Sequence, residues 1–474
     1  MTEFGRDLLE KIKRGRCEVL GLGVSNLPLC RFLVKNGAEN IYGRDKKSEE
    51  RLFQTASELK ELGVKLLTGD DYLEEIGGDE TESTVIFRSP GIRPDLPQIR
   101  AAVERGALLT SEMELFFELT DCENILGVTG SDGKTTTTTL IGKLLEEQIR
   151  LDKSDRRVFV GGNIGEPLLP RLNEIGRDDF VVVELSSFQL MTVHRSVKRA
   201  VVTNLTPNHL DWHTGMDEYR DAKANLFSHE PCVHLTVNAE DPTTLSFGKG
   251  FDGGVTFFSS TRELEANAVF EREGKVVYSD EDGEEVLLDV SSILLPGRHN
   301  LQNYMAAISA TRPFVSREAI KSIAEGFGGV EHRCEFVREK DGVRYYNSSI
   351  DSSPTRTAAA LSAFGQRVVI ICGGYDKKIP FEPLALSLCR HAKTVVLTGA
   401  TAQKIKEAIL SCPEYRPELF DIVERPDFTD AVIETSHIAE KGDVVILSPA
   451  CASFDAFENF AARGRRFKEI INKL

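Results

Sequence analysis

The sequence has no CxxC pair, no apolar run long enough to span a bilayer and no excess of positive charge. Each absence removes a class of function. The nine cysteines (Cys17, Cys30, Cys122, Cys232, Cys334, Cys372, Cys389, Cys412 and Cys451) are scattered and odd in number. That pattern speaks against a disulfide framework or a zinc ribbon and suits reduced, mostly buried thiols. Lys and Arg number 58 against 74 Asp and Glu, giving a net charge of −16 and a pI near 5.2. A polyanion such as DNA or RNA would be repelled, so an anionic ligand must be held by local groups of Lys, Arg and backbone amides. Without a spanning run, no membrane partner is expected. The first residues, "MTEFGRDLLEKIKRGR", read as a charged helix rather than a signal peptide, and the expected location is cytoplasmic.

A chain of 474 residues with 41% hydrophobic and 28% charged residues is globular, and its length suggests about three domains. No internal repeat of solenoid length occurs. Three blocks instead alternate strand, polar loop and helix, which predicts an α/β fold of parallel sheets covered on both faces. The first opens with "CEVLGLGVSNLPLCRFLVKNGAENIYGRDKK" (17–47): a strand to Leu20, glycines at 21 and 23, a helix to about Lys35 and a second strand ending at Asp45. The third glycine of G-x-G-x-x-G is missing, because Asn26 stands there. A dinucleotide turn and an ordinary tight turn of a doubly wound fold therefore fit equally well. "STVIFRSPGI" (83–92) extends that sheet. The second block starts near Cys122 and runs to about Gly329, with strands at "FVVVELSS" and "RAVVTNLT" and a small antiparallel excursion expected over 247–290. The third begins around "HRCEFV" (332–337) and carries "RVVIICGGYDKK", "KTVVLTGA" and "DVVILSPACASFD". Ligands of such sheets bind at the carboxyl ends of the strands, where all these polar loops fall.

One loop carries specific chemistry. Thr129-Gly130-Ser131-Asp132-Gly133-Lys134-Thr135-Thr136 lies between an apolar strand and a helix that opens with five threonines. The full G-x-x-x-x-G-K-[ST] pattern fails, since Val128 stands at the first glycine. The strand-loop-helix context remains the one in which backbone N–H groups and a lysine hold phosphate oxygens. Lys134 would neutralise the β/γ phosphates, Thr135 would offer a hydroxyl to Mg²⁺, and Thr136 could donate to a phosphate. β-Branched threonines are poor helix formers, and the three at 137–139 have no chemical explanation at this level. Glu184 ends an apolar strand, where it is either a second magnesium ligand or a helix-capping acid. His209, Asp211 and His213 form an H-x-D-x-H run suggestive of a metal site, and Lys223 sits on an amphipathic helix where a solvated lysine is the ordinary outcome.

Taken in order, TGSDGKTT (129–136), GGNIG (161–165), ELSSFQL (184–190), NHLDWH (208–213), YRDAK (219–223), LPGRHNLQN (295–303) and EHR (331–333) resemble the Mur ligases. These are ATP-dependent amide-forming enzymes of cell-wall precursor synthesis. The resemblance covers nearly the whole chain. It is nearest to the members that add D-glutamate to UDP-N-acetylmuramoyl-L-alanine, because "SPACASFDAFENFAARG" is close to their C-terminal signature and the D-x-P-R motif of the diaminopimelate- or lysine-adding members is absent.

The resemblance implies three domains. These are a Rossmann-like UDP-substrate domain (1–118), a central P-loop ATP domain (119–329) and a Rossmann-like amino-acid domain (330–474). It implies ATP contacts from Gly130, Ser131, Asp132, Gly133, Lys134, Thr135, Thr136, Asn300 and Arg333. Two Mg²⁺ ions would be held by Thr135, Glu184, His209 and Lys223, with Lys223 carbamylated by CO₂; Lys134, His209 and Lys223 would be the catalytic groups. Gly23, Val24, Ser25, Asp45 and Asn163 would meet the UDP-linked substrate. Ser352, Lys377, Ser453 and Phe460 would hold D-glutamate. The chain is expected to act as a monomer on these small molecules. Two positions depart from the family pattern: Ser348 stands where many relatives carry Asp, and Ile350 where some carry Lys. The alternatives are a relative that adds another amino acid and a nucleotide-binding oxidoreductase built on the first block.

Overall fold

A computed structural model describes every residue except Met1, Val24, Ser25 and Ala266. Two of the expected substrate-site residues, Val24 and Ser25, thus lie outside the described residues. The chain forms two compact units, Met1–Leu287 with Gln302–Ile320, and Leu288–Leu301 with Lys321–Leu474.

The first unit holds two sheets. One is made of β1 (Cys17–Leu20), β2 (Ile41–Asp45), β3 (Lys65–Thr68), β4 (Val85–Arg88) and β5 (Leu108–Thr110), in the order β3-β2-β1-β4-β5 and parallel throughout. The other is made of β6 (Asn124–Thr129), β7 (Val158–Gly162), β8 (Phe180–Glu184), β9 (Arg199–Val202), β10 (His234–Asn238), β11 (Gly254–Ser259), β12 (Ala268–Arg272), β13 (Lys275–Asp280) and β14 (Gly283–Asp289). Their order is β14-β13-β12-β11-β10-β9-β6-β8-β7. β1, β4 and β8 are buried along their whole length, as parallel strands covered on both faces must be. The helix Asn26–Lys35 buries Leu29, Cys30 and Leu33, and the helix Lys134–Asp152 buries Leu140, Ile141, Leu144 and Leu145, each a stripe at helical spacing.

The antiparallel excursion is shorter than the sequence suggests. Residues 247–259 continue the parallel pattern, with the end of the helix Pro242–Lys249 followed by β11, which lies parallel to both β10 and β12. Antiparallel pairing starts only between β12 and β13. Packing explains the difference. A Cβ added to Gly248 would come within 3 Å of Phe257 and Val237 side-chain atoms, so the helix lies tight against strands that read as polar and Gly-rich.

The second unit holds β15 (Glu335–Lys340), β16 (Val343–Asn347), β17 (Val368–Gly373), β18 (Ala392–Thr398), β19 (Asp421–Glu424) and β20 (Val444–Leu447), ordered β15-β16-β20-β17-β18-β19. Each sheet contains a strand at which the order reverses and whose two neighbours both come later in the chain. β1 has β2 and β3 on one side and β4 and β5 on the other; β6 lies between β8 and β9; β17 lies between β18 and β20. These are the topological switch points at which open α/β sheets bind ligands. The loops that leave them carry residues 21–23, 130–133 and 374–377.

Candidate active site

The loop after β6 is shaped by two glycines. Gly133 caps the helix Lys134–Asp152 in the left-handed region (φ 80°), and Gly130 has φ 145°. An added Cβ would lie 2.2 Å from Asn303 Oδ1 at Gly133 and 1.9 Å from Thr203 Oγ1 at Gly130, so both conformation and space demand glycine. Ser131 is buried; its hydroxyl donates to the Thr206 carbonyl at 2.8 Å and meets the Tyr219 hydroxyl at 3.0 Å. The Asp132 amide donates to Asn204 Oδ1 at 2.9 Å. The Lys134 ammonium folds over the loop and donates to the Gly130 and Ser131 carbonyls, each at 2.8 Å. Thr135 is half-exposed beside it. Of the remaining threonines, Thr136 is buried, Thr137 and Thr138 are fully buried against the sheet, and Thr139 back-bonds to the Thr135 carbonyl at 2.8 Å.

Glu184 ends β8 with 1% exposure. Oε1 accepts from Asn163 Nδ2 at 2.8 Å, and the Asn163 amide donates to the Glu184 carbonyl at 2.8 Å. Oε2 is buried with no hydrogen-bond partner. A buried carboxylate oxygen without a donor is costly, and it is the state expected of a group reserved for a cation. The set fits a hard divalent ion in that respect. No three His, Cys, Asp or Glu side chains converge among the described residues, so a cation beside Glu184 would also need ligands of other kinds.

Lys223 is the least expected member. It lies on the helix Met216–Ala224 with 1% exposure, not on a solvated face. Its Nζ donates to the same Gly130 carbonyl as Lys134, at 2.8 Å, and to Thr129 Oγ1 at 3.4 Å, and sits 4.6 Å from the Tyr219 ring centre. Burial, aided by the Lys134 charge, holds its pKa well below the ordinary lysine range.

The H-x-D-x-H run does not converge. His209 and Asp211 are exposed, whereas His213 turns inward, with Nδ1 3.1 Å from Glu218 Oε2 and Nε2 2.9 Å from Ser187 Oγ. Burial lowers the His213 pKa, against the Glu218 carboxylate that raises it. His209 has φ 55°, a strained value for a non-glycine residue, and its ring meets Phe188 edge-on at 4.8 Å.

The turn after β1 is held by its own side chains. Asp45 accepts the Leu22 amide on Oδ2 and the Lys47 amide on Oδ1, each at 2.8 Å. Asn26 donates from Nδ2 to the Leu20 and Gly21 carbonyls, at 3.2 and 2.7 Å. Gly23 is exposed, with open space where a Cβ would be. In the second unit, Lys377 Nζ lies 3.2 Å from the Ser352 carbonyl and 3.4 Å from its hydroxyl. Ser453 is buried, Phe460 is 40% exposed, and its carbonyl accepts from Ser349 Oγ at 2.8 Å. Asn300 is buried and donates to the Pro296 carbonyl at 2.7 Å; Arg333 is exposed. Both belong to this second unit.

Several residues were not legible in the sequence. Asp351, buried beside Ser348, accepts from Ser448 Oγ at 2.8 Å, and burial raises its pKa. It supplies a carboxyl three residues beyond the position where Ser348 replaces one. Arg88, Arg93 and Glu218 carry no motif, because their contacts join segments about a hundred residues apart.

Comparison with known proteins agrees with this geometry. The model of the Mur ligase middle domain matches residues 128–311, and that of the Mur ligase glutamate ligase domain matches 332–451. The UDP-N-acetylmuramoylalanine--D-glutamate ligase of Clostridium botulinum is 45% identical over the full length of both chains. That of Clostridium beijerinckii is 47% identical over 96% of each. Among solved structures, the UDP-N-acetylmuramate-alanine ligase of Thermotoga maritima shares the fold, with a TM-score of 0.54 at 19% identity over 97% of this chain and 99% of that one. A UDP-N-acetylmuramoyl-L-alanyl-D-glutamate--2,6-diaminopimelate ligase does so with 0.58 at 16%, over 82% and 87%. With motifs, sheets and full-length identity in accord, the chain belongs to the Mur ligase family.

Proposed function

We propose that the protein is an ATP-dependent ligase that joins D-glutamate to UDP-N-acetylmuramoyl-L-alanine in peptidoglycan precursor synthesis. The observation that carries this reading is the convergence of Lys134 and the buried Lys223 on one carbonyl of the glycine loop. Full-length identity to relatives that bear that name supports the choice of substrates.

A carboxylate is a poor acylating agent, and phosphorylation gives it a leaving group. In this reading an alanyl carboxylate oxygen attacks the γ-phosphorus and the bond to the β,γ-bridging oxygen breaks, releasing ADP. The glutamate amine then attacks the acyl carbon, loses a proton, and the carbon–oxygen bond to phosphate breaks. Loop amides from Gly130 to Thr136 and the Lys134 ammonium hold the phosphates. Glu184, Thr135 and His209 would hold magnesium together with Lys223, whose pKa burial lowers, in the direction of the neutral amine that CO₂ needs to form a carbamate. Bound magnesium would neutralise the crowded phosphate and carboxylate oxygens. Asn163, hydrogen-bonded to Glu184, would orient the carboxylate to be phosphorylated. Gly23, Val24, Ser25 and Asp45 would meet the uridine nucleotide, Asn300 and Arg333 would meet ATP, and Ser352, Lys377, Ser453 and Phe460 would receive D-glutamate. The division into 1–118, 119–329 and 330–474 assigns one substrate to each sheet. A cytoplasmic monomer is part of the same reading.

The test is phosphate release from ATP·Mg²⁺ and UDP-N-acetylmuramoyl-L-alanine. Release should require D-glutamate and should not be supported by L-glutamate, L-lysine or meso-diaminopimelate. Equal release with another amino acid would make the chain a different member of the family.

A further inference from the structure

The turn that carries His209 is held from outside by Arg93, which follows the strand β4. Its guanidinium donates to the Trp212 carbonyl, lies 5.0 Å from the Trp212 ring centre, and pairs with Glu218 at 2.8 Å and with Asp95 at 2.8 Å. Glu218 in turn accepts the Thr214 amide at 2.9 Å and meets His213 Nδ1 at 3.1 Å, and His213 reaches Ser187 at 2.9 Å. Arg93 pushes the Glu218 pKa down to about 2, so this pair is ionised at any working pH. The strained backbone of His209 persists only if its surroundings over-determine it. Within the turn, the His209 carbonyl accepts the Trp212 and His213 amides, at 3.1 and 2.9 Å. Arg93 fixes the far end of the same turn.

The other side of Arg93 leads to the first glycine turn. Residues 89–92 pack on Gly21, where an added Cβ would meet Ser89 Cβ at 2.8 Å and Ile92 Cδ1 at 3.4 Å. The buried Arg88 holds these residues from within, donating to the Ser89, Pro90 and Ile92 carbonyls and, across to the second sheet, to the Phe188 carbonyl at 2.6 Å. Phe188 is the residue whose ring supports His209.

We infer that Arg93 is a positioning residue. It ties the turn bearing His209 to the turn after β4, so that magnesium affinity depends on a contact made from the first sheet. This rests on the ligase reading, and in particular on His209 as a magnesium ligand. Residues that orient a ligand from behind typically alter metal affinity by about 10–100-fold.

Trp212 is the chain's single tryptophan, so fluorescence excited selectively at tryptophan reports on this turn. The experiment measures Mn²⁺ binding by electron paramagnetic resonance, with a non-hydrolysable ATP analogue present, in wild type, Arg93→Met and Arg93→Lys. Arg93→Met should weaken Mn²⁺ binding about tenfold. It should also make Trp212 more open to acrylamide quenching and leave the KM for D-glutamate unchanged. Arg93→Lys keeps one charge contact and should fall between the two, which also covers the case in which the methionine variant folds poorly. Mn²⁺ binding unchanged in both variants overturns the inference while the ligase reading stands. A rise in the D-glutamate KM as large as the loss of metal affinity overturns it too, by showing a general structural defect. Wild-type protein that binds no Mn²⁺ overturns the metal assignment itself, and the inference with it.

Discussion

The turns after β1 and β6 occupy the same place in their sheets and are built for opposite purposes. Each follows a parallel strand flanked on both sides, at a switch point of the strand order, and each opens with glycine. The first spends its polar side chains on itself: Asp45 and Asn26 are both engaged with loop amides and carbonyls. The second gathers charge. Lys134 and Lys223 meet on one carbonyl, and Glu184, at the end of the neighbouring strand β8, keeps one buried oxygen without a partner. A turn that only cradles a ligand needs a fixed backbone, whereas one that supports phosphoryl transfer needs opposed charges held out of water. Shared topology therefore does not confer shared chemistry.

The comparison is broken most severely at Lys134. Lys134→Ala should leave the melting temperature near that of wild type and reduce kcat about 1,000-fold, about 4 kcal/mol of transition-state stabilisation. Steady-state phosphate release checks this. A variant that keeps more than about a tenth of wild-type kcat would show that the charge of this turn is not what drives the reaction.

Lys223→Ala comes next, at about a hundredfold loss of kcat. Millimolar formate or acetate should restore part of the activity, because a small carboxylate can enter the vacated space where a carbamate would stand. Lys223→Arg should not be rescued, since its guanidinium fills the space and stays positive. Normal turnover of Lys223→Ala in bicarbonate-free buffer would reduce the residue to a buried structural cation.

Lys223 also marks how far the sequence could be read. Strand ends at Leu20 and Glu184 fall where apolar runs stop, and the glycine loop with its lysine is visible because those residues are contiguous. The burial of Lys223 is not, because the helix Met216–Ala224 is polar in composition and only its packing under the Gly130 loop removes the ammonium from water. The same holds for Arg93 with Glu218, 125 residues apart, and for Asp351, whose role depends on Ser448 from another strand end. His213 misled for the opposite reason. Spacing put it beside His209, but the backbone reversal at His209 turned it towards Ser187.

Asp45→Ala sharpens the other half of the comparison. It frees the Leu22 and Lys47 amides and loosens the first turn without touching the second. The KM for the UDP-linked substrate should rise about tenfold, about 1.4 kcal/mol, with the KM for ATP unchanged. Equal rises in both would mean that the two turns do not serve separate ligands.

The smallest effect is expected at Asn26, and it discriminates between a cradle and a dinucleotide turn. Asn26→Gly supplies the third glycine of the G-x-G-x-x-G pattern that Gly21 and Gly23 begin, the spacing that lets a pyrophosphate approach a helix N-terminus. It also removes two hydrogen bonds donated to the Leu20 and Gly21 carbonyls and places a flexible residue at the start of the helix Asn26–Lys35. Together these should cost about 1–2 kcal/mol, seen as a modest fall in melting temperature and a small rise in the KM for the UDP-linked substrate. No NADH binding should appear in a fluorescence titration, even though the fingerprint is now complete. Asp45, the acid at the end of β2, is oriented by the Leu22 and Lys47 amides for the uridine nucleotide proposed at this turn, and Asn26→Gly leaves both bonds in place. A clear gain of NADH affinity in Asn26→Gly would mean that a single side chain separates this turn from a dinucleotide site, and that its difference from the turn after β6 lies in occupancy rather than in design.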